Sequence, residues 1–392
     1  MTARPAWLTR GVIGIILATF FSDVGHEAVT VILPGYLAAS GLGAATLGAM
    51  EGIADFCQAL AKLAGGAVGH HTTNKRWWAG AGYAVTALGT AGIGLVSSVP
   101  ALVGLRSAAW TGRGFRSPMR DFLMADEVDP ATYGRAYGIE RSADMAGAVV
   151  GSLGAIGLIY AGLPAATVIV ISIVPAGLAA VSFIALTRDR KLEAAPPPPA
   201  DRTLPAPFKR LLVGLFLFGL GDFSRTFLIF LAASALGEHH APRTALSVAM
   251  LFYVGHNVIS AIVAVPIGRL ADRMSKLAIL LVGFVLGAAT NVLLAFDSSS
   301  AAIVIAAIAA SGVYIAIQET VEKATAASML PRELRSWGLG VMASVNAVGD
   351  MASSLFVGFM IDAGHTTVAF AIPAVLMGMA VIWLAAAVRR PG

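Results

Sequence analysis

Apolar stretches of about 20 residues or more recur along the whole chain, each long enough to cross roughly 30 Å of hydrocarbon. Inside lipid the backbone has no water to bond, so a crossing segment must be a helix or a strand of a closed barrel. The stretches are continuously apolar and lack the alternation of a membrane strand, which selects helices. Charged residues are only 12% of the 392 residues, and a soluble protein would carry about twice that fraction. The expected class is an all-α polytopic membrane protein.

Twelve helices fit, centred near Phe21, Asp55, Ala87, Trp110, Gly147, Val174, Leu220, Asn257, Leu286, Tyr314, Ala347 and Val375. Between the sixth and seventh, Thr187 to Arg210 is charged and contains Pro196 to Pro199, a run that cannot continue a helix. The expected organisation is a six-helix bundle over 1–186, a cytoplasmic proline-rich linker over 187–208, and a second six-helix bundle over 209–392. Lysine and arginine mark cytoplasmic loops. With both termini inside, the inner segments take Arg4, Arg10, Lys75, Arg76, Arg113, Arg116, Arg120, Arg135, Arg141, the linker basics, Arg269, Arg273, Lys276, Arg332, Arg335, Arg389 and Arg390. The outer loops take Arg243 alone. Both ends are therefore expected in the cytoplasm, and the first stretch is too long for a cleaved signal. This placement accounts for the net charge of +5 without a nucleic-acid partner. The single cysteine, Cys57, cannot form an internal disulfide.

The two halves echo each other. The segment from Val128 through Gly134 to Gly138 resembles that from Leu330 through Ser336 to Gly340 at an offset of 202, and Asp23 corresponds to Asp222 at 199. Repeated six-helix halves with a site at their interface are one transporter plan.

Charge inside the stretches points the same way. Asp23 and Glu27 lie in the first stretch, Glu51 and Asp55 in the second, each pair at i,i+4 and so on one helix face. An ionisable group in hydrocarbon costs roughly 2.5 kcal/mol or more, so it faces a water-filled path or a partner. At about 1.5 Å per residue, Asp23 and Asp55 fall near the midplane. Glu27 and Glu51 fall nearer the outside, level with Arg106 of the fourth helix. Burial favours a neutral carboxyl and an adjacent arginine favours the charged one, so a proton can exchange for the arginine. Asp23, Glu27, Asp55 and Arg106 are the candidates for proton coupling.

Candidate substrate contacts are His26, Glu51, Asp222 and Arg225 at i,i+3 on the seventh helix, His256 and Asn257 on the eighth, and Tyr314 and Gln318 on the tenth. Asp222 and Arg225 could equally form a self-neutralising pair, and His256 and Asn257 a helix–helix hydrogen bond. Asp23, His26 and Glu27 also offer oxygen and imidazole ligands to a divalent metal. At the repeat offset Arg120 and Asp121 correspond to Glu322 and Lys323 with the charge order reversed, which suits a cytoplasmic gate. Arg113, Asp272, Arg273 and Glu319 are placed in the same gate. Asp144 can reach back to Arg141, whereas Asp350 has no local partner.

With these residues the chain resembles the major facilitator superfamily over nearly its whole length. The loop Gly268-Arg-Leu-Ala-Asp272-Arg273-Met-Ser-Lys276 is similar to the family's G-x-x-x-D-R-x-G-R/K loop, in which Asp272 can cap a neighbouring helix. In the first-half counterpart, Gly66 to Arg76, His70 stands where the family has aspartate. Arg106 with Gly112 and Gly114 resembles the R-x-x-x-x-G-x-G region associated with proton coupling. Gly147 to Gly154 is similar to the antiporter G-x-x-x-G-P motif, with Ser152 in place of proline. The stretch from Arg113 to Asp126 looks like that of a bacterial drug-efflux-like subgroup.

The resemblance implies a fold of two pseudo-symmetric six-helix bundles in a bacterial inner membrane, acting as a monomer without a cofactor. The reading is a proton-coupled transporter exporting a small cationic or zwitterionic solute by alternating access, its partners being substrate, protons and the lipid bilayer. A carrier of a divalent metal or metal chelate is the alternative within transport, and a non-transporting membrane sensor the one outside it. No phosphate loop, catalytic triad or thiolate metal site is legible, so the chain is not expected to be an enzyme.

Overall fold

A computed structural model describes residues 7–39, 44–189, 203–237 and 242–388. Pro196 to Pro199 of the linker, Arg4, Arg389 and Arg390 lie outside the described residues. The described chain is helical throughout its long elements. The first half comprises α1 (Arg10–Ala39), α2 (Ala44–His71), α3 (Lys75–Gly92), α4 (Val99–Glu127), α5 (Tyr133–Tyr160), α6 (Ala165–Ile171) and α7 (Ile173–Leu186). The second comprises α8 (Ala206–Gly219), α9 (Thr226–Gly237), α10 (Pro242–Ala271), α11 (Lys276–Phe296), α12 (Ala301–Met329), α13 (Arg332–Asp362) and α14 (Thr366–Val388). The pairs α6–α7 and α8–α9 each make one interrupted crossing, so the helices supply twelve crossings in two bundles of six. An even number of crossings brings both described ends to one side, here termed the terminal face.

Eight helical segments among the described residues are long and apolar enough to cross a bilayer unaided. Among the others, α2 and α4 carry the intramembrane charge and α8–α9 is interrupted. Each bundle is held by its own apolar core. Tyr83 packs on Phe183 in the first half, and Phe218 stacks on Phe284 at 3.9 Å in the second.

The internal repeat is visible in the backbone. The fifth and eleventh crossings both end on a glycine with positive φ, Gly162 at 88° and Gly364 at 78°. In each case the glycine N–H bonds the carbonyl three residues back, and the next N–H bonds the carbonyl five back. That is the pairing that closes a helix C-terminus on a left-handed residue. The two glycines stand 202 positions apart, the offset read from the loops.

The same offset governs how the halves meet. A Cβ on Gly66 of α2 would lie 2.8 Å from the Gly340 Cα of α13, and one on Gly138 of α5 would lie 3.1 Å from the Gly268 Cα of α10. Adding 202 to 66 and to 138 gives 268 and 340, so one contact is the pseudo-two-fold image of the other. Missing side chains here let helices touch backbone to backbone.

Two expectations are corrected. Arg113, Arg116, Arg120 and Arg141 are not loop residues, because α4 and α5 run on through them. The basic asymmetry of the loops rests on the remaining residues. The seventh helix is also not continuous, as α8 stops at Gly219 and α9 starts at Thr226. Gly219 packs on Gly349 and Gly221 on Pro373 and Met377. Two glycines in three residues provide little helix propensity, and the tight packing fixes the break. Asp222 and Arg225 therefore sit in a non-helical interruption.

Candidate functional site

The fourth crossing positions the site. Arg106, Arg113, Arg116 and Arg120 are spaced seven, three and four residues apart, which aligns them along one stripe of α4. Neighbouring helices meet this stripe in different ways. Arg106, 1% exposed, pairs with Glu51 of α2 at 2.8 Å and lies over the Trp110 ring. One turn further in, Trp110 donates its indole N–H to Asp55 at 2.9 Å. Because α2 and α4 run parallel, the contacts Glu51–Arg106 and Asp55–Trp110 keep the same spacing.

Arg113 pairs with Asp23 of α1 at 2.6 Å and has Asp144 of α5 at 4.0 Å. Arg116 lies over the Tyr83 ring and donates to Ser22 and Thr86. Arg120 pairs with Asp121 and with Glu140 of α5. Two further first-half candidates face this stripe. His26 packs on Trp110 with ring centroids 4.2 Å apart, and its Nε2 is 3.9 Å from Glu27. Asp23 is held by Arg113 and His26 by Trp110, so Asp23, His26 and Glu27 do not form a ligand set. Among the described residues no group of three or more His, Cys, Asp or Glu side chains converges as a metal site.

The charges continue across the junction of the halves. Asp144 bonds Arg141 at 2.5 Å, Arg141 pairs with Glu319 of α12 at 2.9 Å, and Glu319 lies 4.0 Å from Arg225. Asp23, Arg113, Asp144, Arg141, Glu319 and Arg225 thus form one chain of alternating sign from α1 to the interruption between α8 and α9. The Arg113 side chain is 25% exposed, and Glu51 and Glu319 are each 33% exposed. These mid-crossing charges are partly exposed and not sealed into the core. In the second half Tyr314 donates to Asp222 at 2.9 Å, and the buried His256 bonds its neighbour Asn257 and stacks on Tyr253. Gln318 is buried on the same face of α12 as Tyr314.

Towards the terminal face, direct contacts join the halves. Lys323 reaches across to Glu140 at 3.2 Å. Glu322 accepts from Asn346 of its own half instead. Asp272 accepts from the Gly134 and Arg135 backbone N–H groups at the start of α5 and pairs with the Arg135 side chain at 2.6 Å. Arg332 forks onto Asp126, and His70 contacts the Glu333 carbonyl. Arg273 is exposed on the same face. Among the described residues no ion pair joins the halves beyond Arg141–Glu319 towards the far face.

Sequence reasoning did not single out Glu140, although it holds both Arg120 and Lys323. Its signal was available: an acid about two turns into the fifth crossing, in a chain where such groups need partners. Arg332 and Asp126 lie 206 positions apart, and only the folded contact joins them.

Comparison with known proteins fits this architecture. The Major Facilitator Superfamily model matches residues 15–255 and 211–392. The chain belongs to this superfamily. An uncharacterized MFS-type transporter of Methanocaldococcus jannaschii is 23% identical over 362 residues, covering 90% of this chain and 89% of that protein. The crystal structure of the human organic anion transporter MFSD10 shares the fold with a TM-score of 0.76 at 14% identity, over 97% of this chain and 100% of that one. The Escherichia coli fucose:proton symporter FucP gives 0.75 at 13% identity, over 96% and 98%. This superfamily protein is a multi-pass membrane transporter and not an enzyme, with a small molecule as its cargo.

Proposed function

We propose that the chain is a proton-coupled secondary transporter that exports a small cationic or zwitterionic solute by alternating access between bundles 1–186 and 209–392. The terminal face is the cytoplasmic side of a bacterial inner membrane, because Lys75, Arg76, Arg269, Arg273, Lys276 and Arg335 crowd it. On that assignment the cross-half contacts close the cytoplasmic side and the partly exposed charges face outward.

The Asp23–Arg113 pair at 2.6 Å, at the head of the charge chain to Glu319, carries this reading. A proton on Asp23 cancels its charge and leaves Arg113 to Asp144, which loosens the hold of Asp144 on Arg141. Arg141 is the group that ties α5 to Glu319 across the halves, so proton binding and half-to-half closure share one set of charges. Breaking a buried pair costs about 3–5 kcal/mol, and a bias of about 5.5 kcal/mol turns a 1:99 equilibrium into 99:1. The accessible acids Glu51 and Glu319 favour a cation, and Arg225 offers a partner for the carboxylate of a zwitterion. FucP, named a fucose:proton symporter, supports the choice of coupling ion.

The test is pH-gradient-driven flux in proteoliposomes with ethidium as the probe cation. Asp23→Asn is expected to reduce flux to background while preserving folding. Undiminished gradient-driven flux in that variant would overturn the assignment.

A further inference from the structure

We propose that the second bundle binds one alkali cation, sodium in size, where the end of α8 meets α13. This site lies in the opposite half from Asp23 and does not rest on the proton pathway.

The backbone sets up the field. α8 ends inside the bundle at Gly219, and a helix C-terminus carries partial negative charge. Gly349 of α13 packs directly on Gly219, with a Cβ at Gly349 falling 2.9 Å from the Gly219 Cα. That contact carries Asp350 Oδ1 to 3.3 Å from where a Gly219 side chain would begin. A carboxylate thus sits against the negative end of a half-helix, the wrong sign for a stable contact without a cation.

Three of the side chains around it spend donors elsewhere and keep acceptors free. Asn346, Asp350 and Ser353 follow one face of α13 at i, i+4 and i+7, and Tyr314, Gln318 and Glu322 follow one face of α12. Tyr314 gives its O–H to Asp222, and Asn346 and Gln318 give N–H groups to Glu322. Left buried without a partner are Asp350 Oδ1, Asn346 Oδ1, Gln318 Oε1 and Ser353 Oγ. Gln318 is 6% exposed and Ser353 1%. Buried acceptors are satisfied in nearly all proteins. Four oxygens orphaned on facing helices call for something that offers positive charge to oxygen.

Charge counting selects its valence. Asp222 and Glu322, with Arg225 and Lys62 of α2, act electrostatically on Asp350 from around the site. The orphaned oxygens belong to one carboxylate and three neutral side chains, so they carry one negative charge, which a monovalent ion balances and a divalent one overshoots. Hard oxygen donors suit a hard ion. Interrupted membrane helices use unwound carbonyls and half-helix C-terminal ends for this purpose.

The test uses the purified full-length protein, with thermal unfolding followed by tryptophan fluorescence at constant ionic strength. Sodium chloride is expected to raise Tm saturably over N-methylglucamine chloride and more than caesium chloride does. Radioactive sodium should bind at one ion per chain. Asp350→Asn is expected to weaken that binding about tenfold or more, the loss seen at metal sites even when an outer-shell partner is removed. Gln318→Leu, which removes a neutral ligand, provides a second variant should the first fold poorly. Asp23→Asn should keep sodium binding while losing proton-driven flux, so the two readings fail separately. Equal Tm in sodium and N-methylglucamine, as a proton shared among the three acids would give, overturns the site. So does unchanged sodium affinity in both Asp350→Asn and Gln318→Leu.

Discussion

The two cross-half contacts on the terminal face have the same backbone geometry and different chemistry. Around Gly138 and Gly268, Asp272 lies 2.7 Å from the Gly134 N–H and 3.2 Å from the Arg135 N–H, and pairs with the Arg135 side chain. These N–H groups belong to the first turn of α5, where a helix lacks internal acceptors. Around the mirror contact, Gly66 and Gly340, the residue in the place of Asp272 is His70. Its Nδ1 is 3.0 Å from the Glu333 carbonyl, so this imidazole meets a backbone carbonyl. The residue that precedes α13, Pro331, supplies no side-chain cap. The ion pair on that side comes from another position, Arg332 forked onto Asp126 at 2.6 and 2.9 Å. A two-fold repeat of backbone therefore does not impose a two-fold repeat of chemistry. The carboxylate lock concentrates a cap and an ion pair in one residue, whereas the histidine lock spreads them over two contacts.

The largest effect is expected where both locks depend on absent atoms. In Gly268→Val the new Cβ falls on the Gly134 carbonyl oxygen, which no side-chain rotation relieves. Overpacking of this kind costs about 1–3 kcal/mol or more. Spin labels at Asn74 and Met274, both exposed on the terminal face, should report a longer mean separation. Gly66→Val should do the same through Gly340. If only one of the two glycine variants lengthens that distance, the locks are not equivalent even at the backbone.

Next comes the carboxylate. Asp272→Ala removes a cap contribution of about 0.5–2 kcal/mol and leaves Arg135 without its partner. The same label pair should shift markedly towards the open population. Asp126→Asn is expected to do less, since it forfeits an ion pair of about 1 kcal/mol or less with a part-exposed arginine and no helix cap. Equal shifts in Asp272→Ala and Asp126→Asn would remove the claimed difference between the locks.

Much of this was legible in the chain because bilayer thickness imposes a length. Apolar runs locate the crossings, and the offset of 202 between loops reappears in Gly162 and Gly364 and in the glycine contacts. Depth along a helix likewise sets Arg106 level with Glu51, and the two meet at 2.8 Å. What escaped has physical reasons. The break after Gly219 is set by packing against α13 and α14, and 43 glycines give no local clue to which of them ends a helix. Arg113, Arg116 and Arg120 read as loop charge because a stripe of arginines looks solvated until its partners on α1, α3 and α5 are known. Pairings such as Lys323–Glu140 join residues 183 positions apart, and no spacing rule spans that distance.

The smallest expected effect is the most informative about symmetry. His70→Asp would give the first half the residue type that closes the second. An aspartate there lies at the first turn of α13, which Pro331 does not cap and whose dipole favours a negative charge by about 0.3–1 kcal/mol. It also forfeits the contact to the Glu333 carbonyl, a neutral hydrogen bond of about 0.5–1.5 kcal/mol. These terms nearly cancel, so the Asn74–Met274 distance distribution should move little in this variant. The gain is expected in Asp126→Asn combined with His70→Asp, where a carboxylate cap replaces the lost ion pair and the closed population recovers. Failure of that rescue would mean that α13 begins in a geometry a carboxylate cannot cap. The histidine would then be a consequence of how this helix enters the contact rather than a substitute for aspartate.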